Sequence, residues 1–97
     1  MADLTYTVVP SALTARNWAC APEPSARRFA ALLEPALAEE LRDHEITVQI
    51  VIEEGCRMGW RLERGTVEQR RRAEALTDGV VNAVRDTGDW VVFDDAF

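Results

Sequence analysis

With 97 residues, 47% of them hydrophobic, and only five glycines and four prolines, the chain has the size and composition of one domain, residues 1–97, able to bury a core without a metal or a disulfide framework. All eleven basic residues are arginine, against seventeen acids, for a net charge of −6; without lysine, Schiff-base chemistry and the phosphate-loop lysine are excluded. A single histidine, two cysteines outside any CxxC spacing and no apolar run near the roughly 20 residues of a membrane span argue against metal sites, cofactors and membrane insertion.

In chain order, Leu4, Tyr6 and Val8 alternate with Thr5, Thr7 and Val9, which predicts a first strand ending at Pro10. Residues 11–25 have no clear period and contain Trp18 and Cys20; they read as an irregular loop or a short helical insertion over 11–17. Over 26–43, Phe29, Leu33, Leu37 and Leu41 recur at every fourth position and predict an amphipathic helix with Ser25 as its N-cap. Pro35 lies inside that pattern and predicts a kink, or two short helices with Pro35 opening the second.

The period-two pattern over 46–64 is the strongest local signal. Ile46, Val48, Ile50 and Ile52, then Met58, Trp60 and Leu62, are apolar on both sides of Glu54-Gly55-Cys56. This predicts a hairpin in which Ile50 opposes Trp60, Val48 opposes Leu62 and Glu53 opposes Arg57. Thr66-Val67-Glu68-Gln69 then matches a capping box. The helix it opens should bury Ala73, Leu76, Val80, Ala83, Val84 and Thr87, pass through Asp78-Gly79 and close at Gly88. Trp90-Val91-Val92-Phe93 reads as a final strand, apolar on both faces and therefore central or covered.

Strand, helix, strand, strand, helix, strand is the order of a ferredoxin-like βαββαβ fold, with a four-stranded antiparallel sheet and two helices on one face. The alternative is an α+β meander in which residues before Ser25 supply an extra element.

Charge is uneven along the chain: residues 1–56 carry −5, 57–72 carry +4 and 73–97 carry −5. Glu39, Glu40 and Asp43 on the first helix, and Glu74, Asp78 and Asp86 with Asn82 on the second, would make the helical layer negative. With Trp18 as an aromatic anchor, that layer is expected to dock on a protein with a basic surface. Arg57 and Arg61 on the open sheet face, with Arg71, form an alternative anion-binding or dimer face. In the Arg70-Arg71-Arg72 run, spacing pairs Glu68 with Arg72 and Arg70 with Glu74, leaving Arg71. No aromatic projects from the expected open face of the first strand or the hairpin, so direct nucleic-acid reading by base stacking is not expected.

His44 adjoins Asp43 and Glu45 at a helix end without a nucleophile tied to it, and Asp94-Asp95 and Glu53-Glu54 point to opposite sides of a strand. The sequence therefore reads as a non-enzymatic, cytoplasmic, acidic binding module that regulates or inhibits a macromolecular partner. Phage-type inhibitors of nucleic-acid-handling or defence complexes, which act by acidic mimicry, share that outline. The alternative is a homodimeric ligand- or anion-binding domain associating through its open sheet face.

Overall fold

Alternation along the first strand is complete: in β1 (Ala2–Val8), Ala2, Leu4, Tyr6 and Val8 are buried while Asp3, Thr5 and Thr7 are half-exposed. The computed structural model describes residues 2–15 and 20–93; Trp18, the end of the expected 11–17 helix and the Asp94-Asp95 pair lie outside them. After β1 come a short helix α1 (Pro10–Leu13), a long helix α2 (Pro22–Leu41), a 3-10 turn (Arg42–His44), the strands β2 (Ile46–Ile52) and β3 (Gly59–Glu63), and the helix α3 (Val67–Thr87). The sheet has three strands in the order β2-β1-β3, with β2 parallel and β3 antiparallel to β1.

This α+β arrangement with a mixed sheet replaces the expected four-stranded antiparallel ferredoxin-like sheet. The two strands of the expected hairpin exist, but β1 lies between them. Ile50 and Trp60 both flank Tyr6, and Val48 and Leu62 both flank Leu4, so each residue sits in its expected row with a different neighbour. A tight turn is not required. Residues 53–58 must cross two strand spacings, about 10 Å, and that many residues can span about 20 Å. The crossing is anchored at the end of β1, where the Glu53 amide donates to the Val8 carbonyl at 3.1 Å. The Glu54 carboxylate accepts the Ser11 amide and hydroxyl, each at 2.8 Å. Gly55 takes the left-handed φ of +77° that this turn needs.

Phe29, Leu33, Leu37 and Leu41 are buried on α2 as their spacing predicts. The helix starts earlier than expected, with Ala21 as N-cap and Pro22 in the first turn. Ser25 is buried instead: its hydroxyl accepts the Val92 amide at 3.0 Å and donates to the Val92 carbonyl at 3.2 Å. Pro35 does not divide the helix, which runs unbroken from Pro22 to Leu41. Pro35 and Ala31, whose carbonyl loses its partner, are both exposed, so water replaces the missing hydrogen bond.

The capping box of Thr66 and Gln69 forms in both directions, and Gly88 closes α3 at φ +71°. Its buried face is Ala73, Thr77, Val81 and Val84; Leu76 and Val80 are half-buried, and Ala83 and Thr87 are exposed. The stripe is turned from its expected position because α3 packs on the sheet core and beside α2 at once. Thr77 is fully buried there, and its hydroxyl has no hydrogen-bond partner among the described residues. Thr77→Val keeps the shape and removes the orphaned group, so it is expected to stabilise the fold by about 1 kcal/mol. The check is a higher urea midpoint with an unchanged slope.

The expected last strand does not join the sheet. The Val91 amide bonds the Gly88 carbonyl at 3.1 Å, turning the chain back over the start of α2, where the Ala21 amide donates to the Val92 carbonyl at 2.7 Å. Phe93 makes a single bridge to Cys20. Trp90 packs edge-on against Phe29 at 5.6 Å, and its indole N–H donates to the Arg85 carbonyl at 2.9 Å. An aromatic core partner and the Ser25 hydroxyl thus satisfy this segment better than a sheet edge would.

Candidate functional site

Both long helices cover one face of the sheet, and period two sends every other strand residue to the opposite face. Three rows form there: Asp3 with Thr47 and Glu63, Thr5 with Gln49 and Arg61, and Thr7 with Val51 and Gly59. Two shallow depressions follow these rows. One, of about 590 Å³, is lined by Thr5, Thr7, Gln49, Val51, Arg57 and Arg61 and also by Glu53; the other, of about 520 Å³, includes Asp3, Thr47, Glu63 and Arg64.

Most charge on this face is matched. Thr47 donates to Asp3 at 2.5 Å, and Arg64 pairs with the same carboxylate. The Thr47 hydrogen bond, then Arg64, hold the Asp3 carboxyl below its ordinary range. Arg61 pairs with Glu63 at 3.1 Å, whereas Arg57 has no ion pair among the described residues. No aromatic projects from the three rows. Phe93 lies outside the sheet, and Trp60 faces the helical side beneath the Arg70 guanidinium, 5.9 Å from its ring centroid.

The acidic candidates are all exposed but do not form one continuous layer. Glu39 borders a groove beside β2 and pairs with Arg42 at 3.5 Å. Asp43 borders a separate depression with Gln69 and Arg72, where the 3-10 turn meets the start of α3. Glu74 and Asp78 lie instead on the flank of α3 above β3. Glu74 is held there by Arg70 at 3.7 Å, and Arg85 reaches the Met58 sulfur at 4.0 Å. Asp78 and Arg85 both act on the Tyr6 phenol, whose pKa is raised chiefly by burial; Arg85 opposes that shift and Asp78 adds to it. A step of four residues gains about 40° on a helix of 3.6 residues per turn, so Asp86 has wound off this flank to face away from the core.

Of the arginine run, Arg70 pairs with Glu74 at 3.7 Å and Arg72 with Glu68 at 3.3 Å, as the spacing predicts. Arg71, two residues from buried Ala73, stands on the outer face of α3, so it does not share the open sheet face with Arg57 and Arg61. Sequence periodicity missed the Asp3–Arg64 pair and the clamp of Glu54 on Ser11, since both join residues distant in the chain. Cys20 is buried and Cys56 exposed, and both are free thiols. Among the described residues, no three His, Cys, Asp or Glu side chains converge as a metal site would require, and no helix is long and apolar enough to cross a membrane. Comparisons with protein-family models, curated proteins and solved structures found no match to this chain.

Proposed function

We propose that the protein is a non-enzymatic binding module that regulates or inhibits a macromolecular partner by presenting acids to a basic surface. The observation that carries this reading is the exposed series Glu74, Asp78 and Asp86 on one long helix, of which Asp78 and Asp86 make no ion pair among the described residues. Glu74 and Asp78, four residues apart, repel each other at a cost to helix stability, so their presence favours a role in recognition. The partner is a protein whose basic surface otherwise grips a phosphate backbone, in the manner of phage-type inhibitors that act by acidic mimicry. Two free thiols support a cytoplasmic setting.

The triple reversal Glu74→Arg, Asp78→Arg and Asp86→Arg is expected to weaken capture of the partner from source-cell lysate at least about tenfold at low salt, with helicity by circular dichroism unchanged. Equal retention of the same partner by wild type and variant removes the reading. A second reading, a homodimeric anion-binding domain working through the open sheet face, is favoured by one observation: Arg57 and Arg61 line one depression, and Arg57 makes no ion pair among the described residues although Glu53 lines the same depression. On that reading Arg61→Glu abolishes anion binding, which the first reading does not require.

A further inference from the structure

The two edges of the sheet are unlike. β3 is five residues long and carries Arg61 and Glu63, the charged, short form that discourages pairing with another chain. β2 runs for seven residues, Ile46–Ile52, without a charge, a proline or a glycine. Its hydrogen-bond directions follow from the two bonds that bracket it. The Ala2 amide donates to the Glu45 carbonyl at 3.2 Å and the Glu53 amide to the Val8 carbonyl at 3.1 Å. In a parallel ladder alternate residues turn both backbone groups the same way. Thr47, Gln49 and Val51 therefore face β1, and Ile46, Val48, Ile50 and Ile52 present their amides and carbonyls outward, where no strand of the described residues meets them.

Beside this edge, α2 supplies a wall. The groove between them, about 500 Å³, is lined by Pro35, Ala38, Glu39 and Arg42 together with Glu45, Ile46 and Val48. Two acids, Glu39 and Glu45, and one base, Arg42, give this strip a single net negative charge on a chain of net charge −6, and a two-fold axis through the middle of β2 would keep the two copies of the groove at opposite ends of the joined strands.

We propose that β2 is a self-association edge, at which two copies pair antiparallel about a two-fold axis through Gln49 to form a continuous six-stranded sheet. Full overlap with outward-facing residues in register allows one arrangement: Ile46 opposite Ile52 and Val48 opposite Ile50 exchange hydrogen bonds, while Thr47 meets Val51 and Gln49 meets its own counterpart. The strand reads nearly the same in both directions, so every cross-strand pair but the central one joins two β-branched side chains, which pack well on a sheet. The two Gln49 amides occupy a close, non-hydrogen-bonded position, where each can donate to the other. This self-complementarity commits the edge to a second copy rather than to a foreign peptide.

The experiment is sedimentation equilibrium on the full chain. Wild type is expected at twice the monomer mass. Gln49→Glu and Gln49→Lys, each on an exposed side chain that leaves the fold intact by circular dichroism, weaken the dimer by about tenfold or more, because like charges are placed directly opposite. An equimolar mixture of the two variants recovers a heterodimer at wild-type affinity or better. Arg61→Glu on the open face leaves the dimer unchanged. A monomeric wild type, failure of the mixture to recover the dimer, or loss of the dimer in Arg61→Glu with retention in both Gln49 variants would overturn the proposal.

Discussion

Phe29→Ala is expected to destabilise the protein by about 3–5 kcal/mol, the usual cost of deleting a fully buried aromatic ring. Phe29 has no exposed surface and is the largest fully buried side chain among the described residues. It stands at the meeting of three parts of the chain: the α2 stripe, the sheet core and the returning C-terminal segment, whose Trp90 lies against it at 90° between ring planes. Alanine would remove the transfer energy of the ring, leave a cavity that the helix backbone cannot close, and deprive Trp90 of its edge-to-face partner. Set against the 5–15 kcal/mol typical of a folded domain, a change of about 4 kcal/mol consumes a large share of the total. Phe29→Leu retains most of the volume and should cost less than about 2 kcal/mol. Urea unfolding followed by circular dichroism reads both, and a loss below about 1 kcal/mol for alanine would show that this ring does not organise the core.

Val51→Pro and Ile52→Pro, adjacent in β2, are expected to differ sharply. The Val51 amide points to β1, so proline there removes a ladder bond, strands a carbonyl of the central strand and should cost about 3 kcal/mol. The Ile52 amide points outward and the residue is 39% exposed, so proline costs about 1 kcal/mol, mostly from lost contact. The same urea titration separates the two. An equal cost at both positions would contradict the direction of alternate β2 amides that the bracketing bonds to the Glu45 and Val8 carbonyls fix.

Ile52→Pro also removes one donor from the proposed self-association edge. Its effect on folding is therefore best read well below the dimer dissociation constant, where the intramolecular ladder alone is measured. The triple reversal on α3 lies in the other layer of the molecule, so the partner-binding reading and the dimer reading fail independently.

Much of the molecule was legible along the chain, since its signals are local. Alternation in Leu4, Tyr6 and Val8 and in Ile46 through Ile52 assigned strands and inner faces correctly. The fourfold spacing of Phe29, Leu33, Leu37 and Leu41 marked the buried side of α2. Thr66 and Gln69 opened α3 and Gly88 closed it, and the pairs Glu68–Arg72 and Arg70–Glu74 followed from helical spacing. Each of these depends on residues a few positions apart, whose geometry is set by the 3.6- and 2-residue periods whatever the rest of the chain does.

Only the tertiary structure decided which strand stands beside which. Backbone amides and carbonyls are chemically alike in every strand, so pairing β2 with β3 or with β1 satisfies the same groups; the choice falls to burial and to the connections. With β1 inserted between them, α2 packs on β2 and α3 lies beside α2. The same competition took Trp90 and Val92 away from the sheet edge and onto Phe29 and Ser25. It also separated Glu39 from Asp78, which the residue pattern had placed on one surface. By itself, then, the sequence determined the three strands, the two long helices, the caps of α3 and the inner faces of β1, β2 and α2, because those are written in short-range periodicity. The neighbours of each strand, the open β2 edge and the division of the acids between two flanks were decided by tertiary packing, because they depend on which apolar faces bury one another at long range.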